Sequence, residues 1–218
     1  MSIGMVLLTI AAILVFFGVA QRVLDRMYLT DRAALILIAL MFFGTLIPNL
    51  SFGGVEVSIG GALIPLGVCV YLLVRAGTNK ERIRALVGSV ITAAAVYLVS
   101  AFLLPDEPEQ LPIDPMYLNG IIAGLIAYAL GRSRRGAFIC GILGVLLADI
   151  AVGVMNRLNG IQQTLVLGGA GVFDATMISG LLAVLLTELV GEIVERVTRG
   201  NRAPVHRPIH QPIRNKEK

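Results

Sequence analysis

The chain has 218 residues, of which 56% are hydrophobic and only 15% charged, with a mean hydropathy of +0.84. That balance excludes an ordinary soluble globular domain. The net charge of +4 comes from short basic runs between long apolar stretches, so it gives no support to a nucleic-acid partner.

Seven apolar runs follow one another: Ile3–Ala20, Ala33–Leu50, Ile59–Val74, Ala85–Leu104, Ile113–Leu130, Gly136–Met155 and Ala170–Val190. A bilayer core about 30 Å thick needs roughly 20 apolar residues as helix. The runs are continuous rather than alternating, which points to helices and away from a β-barrel. The expected fold is an all-α polytopic transmembrane bundle over residues 1–199, with a tail at 200–218. Met1–Ala20 lacks a basic leader region and a cleavage signal before Gln21, and reads as the first span. Pro48 and Pro65 are expected to kink spans two and three.

Positive charge orients the bundle. Arg22, Arg26 and Arg32 fall after span one, Arg75, Lys80, Arg82 and Arg84 after span three, and Arg132, Arg134 and Arg135 after span five. With seven more after span seven, an N-out, C-in arrangement puts 17 of the 18 basic residues in the cytoplasm, leaving only Arg157 outside. The outer loop Pro105–Met116 carries Asp106, Glu107, Glu109 and Asp114. A cell-membrane, multi-pass protein is expected. The Pro-rich, basic tail is expected to be disordered, either as a topogenic segment or drawn to anionic lipid headgroups at about 1 kcal/mol per basic residue.

Two outer segments are unusual. Phe52–Gly61 reads FGGVEVSIGG, a hairpin-like alternation between glycine pairs. Thr164–Ala170 reads TLVLGGA and leads into span seven as Val57–Ala62 leads into span three, hinting at a duplicated three-helix unit.

Ionisable residues inside membrane helices are costly and tend to be functional. Asp149 lies seven residues before Asn156, about 10 Å below the outer end of span six at 1.5 Å per residue. Asp174 lies five residues after Gly169, about 8 Å into span seven. Antiparallel neighbours would bring both carboxyls to one level. If they meet, low dielectric makes them share a proton. That arrangement suits an aspartyl hydrolase, in which one carboxylate activates water and the other donates to a carbonyl, and equally a proton- or cation-coupled carrier. The plainer alternative is that each Asp bonds nearby hydroxyls or amides in a non-catalytic scaffold. Gly168, Gly169 and Gly171 would allow close approach or an unwound helix start, and Asn119 is level with the pair as a supporting polar residue. Glu188 shares the face of Asp174 and Leu181 and reads as an interfacial carboxylate or the end of a proton path.

Cys69 and Cys140 lie within apolar runs and are expected to be buried free thiols. No phosphate-binding glycine loop and no Cys/His cluster of metal spacing occurs, so no cofactor or metal is expected. The expected partners are the lipid bilayer and a membrane-protein or peptide substrate, with homo-oligomerisation left open.

The stretches Tyr117–Leu125, Gly144–Ile150 and Gly168–Asp174 resemble a prokaryotic membrane-protein family known as domain of unknown function sixteen-fourteen. The pairing of Asp149 with Asp174 also resembles the presenilin and signal-peptide-peptidase class of intramembrane aspartyl proteases, whose second Asp follows Gly-x-Gly. That resemblance implies a catalytic dyad. Here the motif is GAGVFD, with two extra residues before Asp174, and the only counterpart of a Pro-Ala-Leu motif is Ile64–Leu66, earlier in the chain.

Overall fold

A computed structural model describes residues 30–102, 115–131, 133–169 and 175–199. The predicted first span, the acidic loop apart from Pro115 and Met116, Gly171, Asp174 and the basic tail lie outside the described residues. Six helices and one small sheet occur among those described: α1 (Asp31–Thr45), β1 (Leu50–Phe52), β2 (Val55–Val57), α2 (Ile59–Val74), α3 (Asn79–Phe102), α4 (Pro115–Gly131), α5 (Arg134–Leu158), β3 (Leu165–Leu167) and α6 (Ala175–Arg199). The protein is mainly helical. Two helices, α3 and α5, are long and apolar enough to cross a membrane, while α1, α2, α4 and α6 contain shorter apolar segments.

Large apolar side chains lie both inside and outside the bundle. Small side chains fill the interior, including Ala85, Ala123, Ala137, Ala148, Ala183, Ser89, Thr92 and Ser179. Leu72, Phe138, Ile139, Ile142 and Ile178 are buried among them, but many large apolar residues face outward: Phe43, Val74 (68% exposed), Ile83, Val90, Phe102 (77%), Leu189 and Val197 (74%). In water such exposed faces would aggregate. Small interior residues let helix backbones approach closely, which is how helices associate where no hydrophobic effect separates inside from outside.

Helix α5 packs along α3 and α6, while α4 packs along α6. A methyl group added at Gly141 would lie 2.6 Å from Gly180 Cα, and one at Gly144 would lie 2.5 Å from Thr92 Cγ2. On α4, additions at Gly120 and Gly124 would meet Leu182 and Ala183 of α6. Cys69 and Cys140 are buried free thiols, and Cys140 Sγ donates to Ala85 O at 3.6 Å.

Both predicted kink prolines sit where regular α-helix is interrupted. Pro48 lies beyond α1, which ends at Thr45 with Leu46 as its cap, so the predicted second run breaks into a helix and the first strand residue, Leu50. Pro65 lies within α2, where the helix changes type. It stands in the first turn of the α-helical part of α2, after a π-helical opening over Ile59–Leu63. There its missing N–H is tolerated.

The hairpin is present, with its turn at Gly53 and Gly54, at φ of 53° and 90°. Positive φ at both central residues is what a two-residue hairpin turn of type I′ requires. β1 and β2 pair antiparallel, and β2 then pairs in parallel with β3, aligning Val55, Glu56 and Val57 with Leu165, Val166 and Leu167.

Polar contacts hold the opposite end of the bundle. Arg135 Nη2 pairs with Glu81 at 3.3 Å, Ser133 Oγ donates to Glu81 Oε1 at 2.8 Å, and Arg134 pairs with Glu188. Arg82 Nη2 donates to Val74 O at 2.9 Å and Ala76 O at 3.4 Å, satisfying carbonyls left over where α2 ends. Glu188 is thus tied to an arginine at this end.

These contacts predict that Gly141→Leu and Gly144→Val each lower stability by about 2 kcal/mol or more, through forced separation of packed helices. Gly67→Ala and Gly191→Ala, where nothing lies within 4 Å of the added methyl, should instead raise it by up to about 1 kcal/mol, because alanine is the better helix former. Unfolding of the purified protein in detergent micelles checks both.

Candidate functional site

Asp149 projects from α5 and is half-buried. It is four residues before Gly153, hence on the same helix face one turn away. A methyl at Gly153 would lie 2.8 Å from Leu165 Cδ1, so β3 rests on α5 at that turn. Asp149 therefore sits on the stripe of α5 that leads up to the sheet.

The distance to α6 follows from the Gly141–Gly180 crossing. Asp149 is eight residues beyond Gly141, about 12 Å along α5, and Ala175 is five before Gly180, about 8 Å along α6 in the same direction. The start of α6 and Asp149 thus occupy neighbouring levels toward the sheet end of the bundle. Asp174 precedes Ala175 in sequence and lies outside the described residues, as does Gly171. Asp149 is itself engaged in a polar interaction.

The supporting residues divide. Gly168 is buried at φ 68°, and a methyl there would lie 2.5 Å from Gly61 C and 2.6 Å from Ala62 N. The turn after β3 is therefore pressed against the π-helical opening of α2, which also touches α6. Gly169 is exposed. Asn119 is buried on α4 with its Oδ1 lacking a partner among the described residues, and no hydrogen bond joins it to Asp149. Thr92, Ser179 and Thr187 are likewise buried with hydroxyls unpartnered among those residues.

Ser58 is the residue that sequence reasoning passed over. It is 2% exposed, its N–H donates to Leu167 O at 3.0 Å, and its hydroxyl accepts from Gly61 N at 3.2 Å. Its carbonyl also accepts from Ala62 N and Leu63 N, both at 3.1 Å, a shared acceptance that marks the π opening. One residue thus ends β2, begins α2 and fastens β3. The signal was available: a lone serine between an alternating strand pattern and a glycine pair is an N-cap signature.

The stretches of α4, α5 and the β3 turn that build this region fall within residues 40–186, which match the model of the family described as "Protein of unknown function (DUF1614)". The chain belongs to that family. Comparison with curated proteins and with solved structures returned no match. Membership in DUF1614 carries no activity with it.

Replacing Ser58 with Ala is expected to cost about 1 kcal/mol for the lost cap, and Gly168→Ala more than that, because a side chain there meets both a left-handed backbone and the α2 main chain. Hydrogen exchange at the Leu167–Ser58 and Leu165–Gly54 bonds reports whether the sheet end has loosened.

Proposed function

We propose that this DUF1614 protein is a multi-pass integral membrane protein of seven spans, N-terminus out and tail in, and that Asp149 and Asp174 form a proton-sharing pair acting as an aspartyl hydrolase on a membrane-embedded peptide. The outward-facing apolar side chains and small interior residues support immersion in lipid. The arginine-rich end, with Arg75, Arg82, Arg134 and Arg135, is the cytoplasmic one on this reading, and the sheet end faces outward.

The observation that carries the hydrolase reading is the position of Asp149 on α5, one turn from the seat of β3 and close in level to the start of α6. Among the described residues β3 pairs on one edge only, with β2. An open strand edge can hold an extended peptide by main-chain hydrogen bonds. The neighbouring carboxylate would take a proton from water while its protonated partner donates to the peptide carbonyl.

A second reading, a small proton- or cation-coupled carrier, is favoured by one feature. Two segments of the same kind, each a strand followed by glycines and a helix, lie side by side at β2–α2 and β3–α6. Such pairs are how repeat-built transporters make midplane sites.

For the topology, a background with Cys69 and Cys140 replaced by Ala should allow Lys80→Cys to be labelled by an impermeant maleimide only from the cytoplasmic side. Ser51→Cys should be labelled only from the outside. Both labelled from one side would overturn the orientation.

For the activity, proteoliposomes carrying single-span reporter peptides should yield cleavage fragments. Asp149→Asn and Asp174→Asn should each lower the rate at least about a hundredfold without lowering the unfolding temperature. Solute-dependent proton flux without fragments, lost in the same variants, would establish the carrier instead. Variants silent in both assays leave a non-catalytic scaffold.

A further inference from the structure

At the arginine end, away from Asp149, a cavity of about 340 Å³ opens between the first turns of α3 and α5 and the last turn of α4. Its rim is polar and cationic, with Lys80, Arg84, Glu81 and Ser133. Its floor is apolar, with Ala85, Ala127, Leu130 and the Cys140 thiol. The charges do not cancel. Glu81 is already matched by Arg135 and accepts from Ser133, whereas Lys80 and Arg84 are exposed and have no ion-pair partner among the described residues. Thr78 and Ser133, the residues that cap α3 and α5 by accepting from Glu81 N at 3.3 Å and Gly136 N at 3.2 Å, both line the cavity. Two helix N-termini, each with partial positive charge, therefore converge on the same space as two free cations.

We propose that this cavity binds a phosphate group, and specifically that of an anionic phospholipid whose proximal chain lies on the Ala127–Leu130 floor. A soluble phosphate would use the rim alone and leave the floor wet. A lipid phosphate uses both halves of the lining. On the proposed orientation the cavity faces the cytoplasmic leaflet, where basic residues near the surface attract anionic headgroups. The phosphate site itself does not depend on that orientation or on any chemistry at Asp149.

The test uses the full-length protein reconstituted in vesicles of equal phosphatidylglycerol and phosphatidylcholine, extracted in mild detergent, with co-purifying lipids counted per protein by mass spectrometry. Phosphatidylglycerol should be enriched. The Lys80→Ala/Arg84→Ala variant should reduce that enrichment about tenfold, and Ala127→Leu, which fills the floor, should displace the lipid while leaving both cations in place. Unfolding temperatures of detergent-solubilised variants confirm that each is folded. A second arm adds inorganic phosphate alone to the delipidated protein. Stabilisation by phosphate that is lost in the double variant and unaffected by Ala127→Leu assigns the site to soluble phosphates. Equal retention of the two lipids together with no stabilisation by phosphate overturns the proposal, as does enrichment that survives loss of both cations. Cleavage or flux at the aspartate site is read separately, so failure here leaves that reading standing.

Discussion

Everything in the bundle depends on how closely the backbone of α5 approaches its two neighbours. Gly141 against Gly180 removes the side-chain layer that normally separates helices, and Gly144 leaves room only for the Thr92 side chain. The gain is dispersion contact along two long helices. The constraint is that neither crossing tolerates growth. Because those contacts fix α5 relative to α6, they also fix how far Asp149 stands from the start of α6. The polar position is therefore set by apolar geometry several turns away.

The two ends of the bundle are held by different chemistry. At one, arginines satisfy helix carbonyls and pair with Glu81 and Glu188. At the other, no described ion pair is found, and three short strands with Ser58 at their centre connect α2 to the β3 turn. Side-chain electrostatics governs the first end and main-chain hydrogen bonding the second.

Much of this was readable from residues. Continuous apolar runs marked the helices, and the described ones begin and end within a few residues of most predicted boundaries. The Gly53–Gly54 pair announced the hairpin because positive φ at two successive positions demands glycine. Pro48 misled, since a proline amid apolar residues reads as a kink when it ends the helical stretch instead. The parallel partner of β2 was hidden for a different reason. Leu165–Leu167 is only three residues long and lies 110 residues from its partner, and periodicity is local, so it cannot reveal which distant strand completes a sheet. The aspartates stood out as carboxylates in apolar runs, but their mutual placement is a matter of packing. Ser58 escaped because its importance lies in three main-chain bonds, which any residue type could have made in part.

The β2–β3 pairing has a bearing on biogenesis. A ribosome synthesises Val55–Val57 long before Leu165–Leu167 exists, with α2 through α5 emerging in between. Throughout that interval one margin of the nascent hairpin is uncapped, and Ser58 N–H awaits its acceptor. The sheet is consequently a closing stitch, sewn only once α5 has been threaded. Chains truncated before residue 165 lack it altogether, and in them the β2 margin stays open to pairing with a strand from elsewhere.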